Sequence, residues 1–351
     1  MTGKKKKMNW QKMKIMNLMR LMVKKEGEWE MDKNFISSLS ICGELGLNMH
    51  SLNNEGGEGN QVLTREVTIV NEDGKIFTVN AVSGDMLKHI QAEHLYHISI
   101  EKGLPLCEKC KVFDANRISG DKTFTEETKD KKDEEILDML VNKCAIDDLE
   151  GILITNNNKN LPRKSAAEFG WLIGIPEKVK TDTFFHVKLV ANAGNKSNDE
   201  SANQGQNIFH RPANSGIYAL VSNYDIYRIG YNEISRTYAI DAIQRCERYK
   251  AFLQSIMYTF IKPNGAMRNT QDPHIISFKG VIAISNSTVP APTISPLNDT
   301  YTNEIKAIAE NINKLEKNSI RVIEFNTLSE FTEIMTDLIQ NYEPYELGAN
   351  N

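Results

Sequence analysis

Residues 48–70 read Asn-Met-His-Ser-Leu-Asn-Asn-Glu-Gly-Gly-Glu-Gly-Asn-Gln-Val-Leu-Thr-Arg-Glu-Val-Thr-Ile-Val. A strand carrying Ile41, Leu45, Leu47 and Met49 runs into a cluster of amide and hydroxyl side chains. Gly56, Gly57 and Gly59 then free the backbone for φ > 0 and for close approach by a partner, and Thr64-Arg65 leads into a second strand. Asn48, His50, Ser51, Asn53, Asn60 and Arg65 are polar groups of the kind that hold a sugar-phosphate backbone without reading bases. The segment has neither a lysine-bearing phosphate loop nor a nucleophile–base pair, so it reads as a holder of something polar and extended.

Outward from this stretch, Thr64–Val70 alternates, Asn71-Glu72-Asp73-Gly74 supplies a hairpin turn, and Lys75–Val79 returns as the partner strand. Ser83 occupies an N-cap position ahead of Met86, Leu87, Ile90, His94, Leu95 and Ile98, whose spacing predicts a helix over 84–101. Gly103 and Pro105 end it. Residues 111–135 are charged and poor in apolar side chains, which predicts a solvated or mobile insertion. Asp147–Ile154 and His186–Val190 read as strands. A Gly, Asn, Ser and Gln stretch follows from 192 to 206, and Gly216–Ile229 returns as a bent strand. A second helix, 238–261, carries Ile240, Ile243, Tyr249, Leu253, Met257 and Phe260 on one face. Phe278–Ile284 is a strand, 300–317 a helix, Arg321–Phe325 a strand and 328–341 a last helix. Stripped of insertions, the order approximates βαββαβ, the ferredoxin-like arrangement of RNA-recognition folds. The fold class is α+β.

Composition sets the outer bounds. The 351 residues, 40% hydrophobic and 25% charged, are those of an ordinary globular chain able to bury a sizeable core. No run of 18 apolar residues occurs, so no membrane is expected. Five cysteines, an odd count, favour free thiols in a reducing cytoplasm. The net charge of −4 conceals an asymmetry: residues 1–31 hold nine Lys/Arg and three Glu, a net of +6, which leaves −10 for the remainder. This basic leader also holds seven of the 13 methionines. We read residues 1–30 as a disordered or non-native leader with Met31 as the start, the alternatives being a mobile arm or a tag.

Further donors are spread along the chain. Ser83, Lys88 and His89 lie at the start of the first helix, whose N-terminus favours anions. Arg163-Lys164 follows the Asn-rich loop 156–160, His210-Arg211 follows the 192–206 loop, and Arg268-Asn269 sits in the turn after the second helix. Cys107-x-x-Cys110 is half of a zinc site, completed by Cys144 with His94 or His97, or else a pair of ordinary thiols near a turn. Asp148 and Glu150, on one face of the expected strand with Asp147 on the other, would suit a hard cation and metal-dependent nuclease chemistry.

In order and spacing the chain resembles the backbone subunit of the type I CRISPR surveillance complex (Cascade), in the DevR branch of the Cas-seven family. The resemblance spans roughly residues 33–300. It rests on the Asn-Met-His-Ser-Leu-Asn-Asn-Glu-Gly stretch and Asn60 to Arg65, and on Ala81-Val82-Ser83-Gly84-Asp85-Met86-Leu87-Lys88-His89. It also includes Asp147-Asp148-Leu149-Glu150-Gly151-Ile152-Leu153 and Pro263-Asn264-Gly265-Ala266-Met267-Arg268. It implies a modified RNA-recognition palm built from 31–104 and 145–190 with 214–326. Residues 105–165 would be a finger insertion, 192–213 a thumb loop, and 327–351 a C-terminal helix and tail. The partners it implies are guide RNA, further copies of the chain, other Cascade subunits of the Cas-five, Cas-six and Cas-eight types, and the target DNA strand. No cofactor and no catalysis are implied; the related type III backbone class, a metal-dependent RNA nuclease, is the alternative. The sequence departs from RNA-recognition strands in lacking an aromatic signature, so guide contacts are expected on phosphates and 2′-hydroxyls.

Overall fold

The computed structural model describes residues 22–25, 28–31, 34–189 and 206–348. Its centre is a sheet whose main path is antiparallel throughout. In chain order the principal elements are β1 (Ser38–His50), β2 (Glu66–Val70), β3 (Ile76–Val82) and α1 (Gly84–Lys102). Then come α2 (Asp133–Lys143), α3 (Ala145–Glu150), β4 (Leu172–Leu189), β5 (Gln206–Asp225) and α4 (Ala242–Ile261). The chain closes with β6 (His274–Ser285), α5 (Tyr301–Leu315), β7 (Ile320–Phe325) and α6 (Leu328–Asn341). Across the sheet the strands run β7-β6-β1-β5-β4-β3-β2.

Strand β1 is central and buried on both faces. Leu39, Ile41, Leu45 and Leu47 join the main core with α1, α4 and α6. On the opposite face Cys42 packs with Val281, Ala283, Tyr301 and Ile305, so α5 covers that side. The expected pairing of the two long helices on one face holds: both feed the same core, and Gln91 of α1 donates to Ser255 Oγ of α4 at 2.7 Å inside it. Ser83 caps α1 through the Met86 N–H, and Asp241 caps α4 through the Gln244 N–H. A cage of Phe260, Phe278, Phe325 and Phe331, with centroids 4.8–5.7 Å apart, welds α4 and α6 to β6 and β7. Truncating one of these rings to Ala is worth about 3–5 kcal/mol.

Three sequence expectations change. Residues 147–150 are helical, not a strand; α3 ends at Gly151, and only Ile152–Ile154 is extended. Gly151 has φ 65°, and a Cβ there would sit 2.5 Å from Arg163 O and Ser165 N, so the turn is sharper than a strand permits. Residues 111–135 are not a loose solvated segment. They contain a short helix, Lys122–Glu127, and the start of α2, and they bury Ile118 and Phe124. The Ile136, Leu137, Leu140, Val141 spacing that anchors α2 lies just beyond the charged run, where an average over composition hides it.

The loop expected over 192–213 is shorter. β4 and β5 stay paired from Val179↔Gly216 out to Leu189↔Gln206, forming a long two-stranded arm. The part of the expected thumb between 190 and 205 lies outside the described residues. Likewise 1–21 of the leader lies outside, while Met22–Lys25 pairs with Glu28–Met31 in a separate hairpin. Among the described residues no helix is long and apolar enough to cross a membrane.

Candidate nucleic-acid interface

The polar stretch after β1 folds inward. His50 is 1% exposed, and its Nε2 meets the Tyr218 hydroxyl at 2.9 Å. That hydroxyl donates to Asn80 Oδ1 at 3.0 Å, and Asn80 donates on to Thr64 Oγ1 and Arg65 O. Asn214 closes the seam by donating to His50 O and Thr64 Oγ1 and accepting from Thr181. Asn53 Oδ1 accepts the Ser83 N–H at 2.7 Å, tying this seam to the cap of α1. Burial pushes the His50 imidazole down to about 4, so it is neutral. His50, Ser51, Asn53 and Ser83, expected to face a sugar-phosphate chain, are interior, and half-buried Asn48 pairs with His274 in the ladder. The reason is that the end of β1 is paired beside β5 in the sheet and tied to the cap of α1, where polar groups survive only if they bond one another.

The seam nevertheless builds something external. Leu52 O accepts the Ala266 N–H at 3.0 Å, and a Cβ on Gly265 would lie 2.7 Å from Leu52 Cδ2. The turn 263–267 is therefore laid directly on the seam, and only glycine fits at 265. This turn, α1 and the arm line an open groove of about 730 Å³. Met86, His89 and Glu93 come from α1, Arg211 from β5, and Asn264 through Thr270 from the turn; Phe113 closes one end. A second cavity of about 300 Å³ shares His89 and Phe113 and adds Lys88, Arg117 and the buried Glu150.

Four expected residues thus meet in the groove, His89, Arg211, Arg268 and Asn269, and Lys88 lines the adjoining cavity with His89. They differ in freedom. Arg268 is held by both oxygens of Glu93 at 2.8 and 3.0 Å. Arg211 has a long hydrogen bond to Thr270 and lies 4.6 Å over the Phe209 ring, with no ion pair among the described residues. Desolvation draws the Lys88 ammonium down, opposed by Glu150. His210 and Asn60 meet at a separate edge, where the Gly-rich stretch folds as a small hairpin (54–58 with 61–64) whose Asn60 O accepts the His210 N–H. There Gly56 and Gly59 have positive φ with open space around them, so they shape the turn and are not sites of close approach within the chain. Arg65 pairs with Glu55 and lies over Trp171.

Arg163 is wholly interior. It bonds Asp148, the Tyr231 and Arg228 carbonyls and Glu233, while its neighbour Lys164 is exposed elsewhere. Asp148 also receives Arg248 Nη1 at 2.7 Å and the Gly230 N–H. Asp148 and Glu150 do not converge as expected for a nuclease metal, because residues 147–150 are helical. Asp148 is spent on two arginines, Asp147 faces Cys107 and Cys110, and Glu150 lies buried toward Lys88 and Gln91. His94 Nε2 donates to the Lys262 carbonyl at 2.8 Å, and His97 packs on Tyr96, so neither joins the cysteines.

The sequence reading missed Phe113 and Arg117, which no local pattern singles out. It also missed the aromatics of the arm: Phe184 and Phe185 are exposed, His186 stacks on Phe209, and Phe185 meets His210 edge-on. The Phe-Phe-His run was visible, but without the arm it had no context.

The chain is similar to several known proteins. A family model described as CRISPR-associated negative auto-regulator DevR/Csa2 matches residues 41–306. The CRISPR-associated protein Cas7/Csa2 1 of Saccharolobus solfataricus is 26% identical over 222 residues, which span 61% of this chain and 68% of that protein. Two solved chains also align, described as a CRISPR RNA-guided surveillance complex, pre-nicking, and a CRISPR RNA-guided surveillance complex. Each aligns over 88% of this chain at 14% identity, with TM-scores of 0.47 and 0.45, covering 96% and 94% of those chains.

Proposed function

Since this chain belongs to the DevR/Csa2 family of CRISPR-associated proteins, we propose that it is a guide-RNA-binding subunit that polymerises along the guide to form the backbone of a type I Cascade complex. In this reading it carries out no chemistry itself and supports recognition of the target DNA strand alongside other Cascade subunits. The β6-β1-β5-β4 order with α1 and α4 against one face supports reading the centre as a ferredoxin-like, RNA-recognition palm. The helical segment 105–165 would be the finger and the β4–β5 arm the thumb.

One observation carries the proposal. Segments far apart in sequence (α1, the start of β5 and the 264–270 turn) bring His89, Arg211, Arg268 and Asn269 to one open groove. Donors spread along a groove suit a continuous phosphate backbone better than a compact ligand. Their modest number fits a body with net negative charge, which disfavours indiscriminate nucleic-acid binding. The exposed Phe184 and Phe185 add faces on which bases of any sequence can stack. The spent carboxylate of Asp148 weighs against the nuclease alternative.

The test mixes the purified chain with single-stranded RNAs of unrelated sequence and graded length, read by analytical ultracentrifugation. Oligomers that grow with RNA length, irrespective of sequence, are the expected result. Complexes of fixed size, binding confined to one sequence, or EDTA-sensitive cleavage of the RNA would each overturn it.

A further inference from the structure

Three cysteines and one carboxylate lie outside the groove and have no part in the proposed function. Cys107 and Cys110 sit in the segment that follows α1, Cys144 joins α2 to α3, and Asp147 is in the first turn of α3. All four are buried, and their Sγ and carboxylate oxygen atoms lie within 4.8 Å of one another. No disulfide links them; all three cysteines are free.

The distances are those of a coordination shell. Asp147 Oδ2 lies 3.5 Å from Cys107 Sγ and 3.5 Å from Cys110 Sγ. For ligands placed tetrahedrally about zinc, with Zn–S about 2.3 Å and Zn–O about 2.0 Å, the S···O separation is about 3.5 Å. The Cys110 N–H points at Cys107 Sγ at 3.3 Å, the kind of amide contact that stabilises a thiolate in a Cys-x-x-Cys turn. Arg117 Nε stands 3.8 Å from the other oxygen, Asp147 Oδ1, which is buried and otherwise without a hydrogen bond. Without a cation, a carboxylate interior to this degree costs free energy that two weak thiol donors scarcely offset.

We propose that Cys107, Cys110, Cys144 and Asp147 bind one zinc ion. Thiolate donors select zinc over hard cations, and four protein ligands with no open position describe a structural site and not a catalytic one. The ion would staple the 104–113 segment to the junction of α2 and α3. That segment carries Phe113, which closes both cavities. Zinc would therefore fix one wall of the groove and the base of the helical insertion at once.

The experiment uses the full-length chain produced in zinc-supplemented medium. Native mass spectrometry and elemental analysis are expected to show one zinc per chain. X-ray absorption should report about three sulfur and one oxygen neighbour at the distances above. Substituting cobalt should give the thiolate-to-metal charge-transfer band of a tetrahedral site. Cys110→Ser and Asp147→Asn should each lower metal retention under chelator challenge at least tenfold, with Cys246→Ser as the unaffected control. The absorption measurement on the unaltered chain decides the matter even if those variants misfold. Folded wild-type protein without bound zinc, a Cys107–Cys110 disulfide in the intact mass, or a zinc shell lacking sulfur would overturn the proposal.

Discussion

Arginine is concentrated in two regions of this molecule, to opposite ends. Beneath the helical insertion, Arg163 and Arg248 are fully buried and converge on the single carboxylate of Asp148. At the groove, Arg211 and Arg268 reach solvent from β5 and from the turn after α4. The interior pair holds α2, α3 and the 228–233 segment together: Arg163 reaches the Arg228 and Tyr231 carbonyls, and Arg248 the Val141 carbonyl. Of the exposed pair, Arg268 is held by Glu93, and Arg211, with one long hydrogen bond to Thr270, has donors to offer. Residue type alone does not make a cationic site; what matters is whether the donors are already spent.

The largest effect should come from the interior. Asp148→Ala leaves the buried Arg248 guanidinium without a carboxylate and Arg163 with Glu233 alone, and loss of one partner in such a cluster costs about 3–5 kcal/mol. Chemical denaturation should show that loss. An Asp148→Ala chain as stable as the wild type would mean that the arginines reach solvent and that the contrast is false.

The seam around His50 gives an intermediate effect that depends on pH. An imidazole near 6.5 when unfolded and pushed down to about 4 when buried binds fewer protons in the folded chain across that interval. Stability should therefore be full above pH 6.5 and fall as the pH drops toward 4, with a slope approaching roughly 1.4 kcal/mol per pH unit from this group. His50→Gln should flatten its share of the slope. An unchanged profile would show that the seam is open to water.

The smallest effect on stability belongs to the groove. Arg211→Ala should change it by no more than about 0.5 kcal/mol, as surface substitutions usually do. The same change should weaken binding to all RNA sequences alike and reduce the log–log salt slope by roughly 0.7 for a lost single-strand phosphate contact. Arg268→Ala should do less, because Glu93 already holds that guanidinium. Equal losses would mean that RNA strips Arg268 from Glu93, which sharpens the comparison; selective loss for one sequence would point to base readout and break it.

Much of the architecture was legible in the chain. The α1 stripe, its Ser83 cap, the Asn71–Gly74 turn and the α4 stripe are local signals, fixed by backbone sterics and by a period of 3.6 or 2 residues. So was the order of the sheet strands with the two long helices. The residues 147–150 misled because a six-residue helix carries too short a pattern to separate from a strand. His89, Arg211, Arg268 and Asn269 were each identifiable as donors, but their meeting was not, since no local rule brings residues of α1 next to the start of β5. Burial was equally out of reach. His50 and Arg163 have the same chemistry as His89 and Arg211, and only the pairing of β1 beside β5, and the approach of α3 to α4 through Asp148 and Arg248, turned the first two inward. Cys107 and Cys110 announced half a site by spacing. Cys144 and Asp147 joined them because α2 and α3 fold back under the end of α1, a long-range arrangement set by the whole core and not by any segment of it.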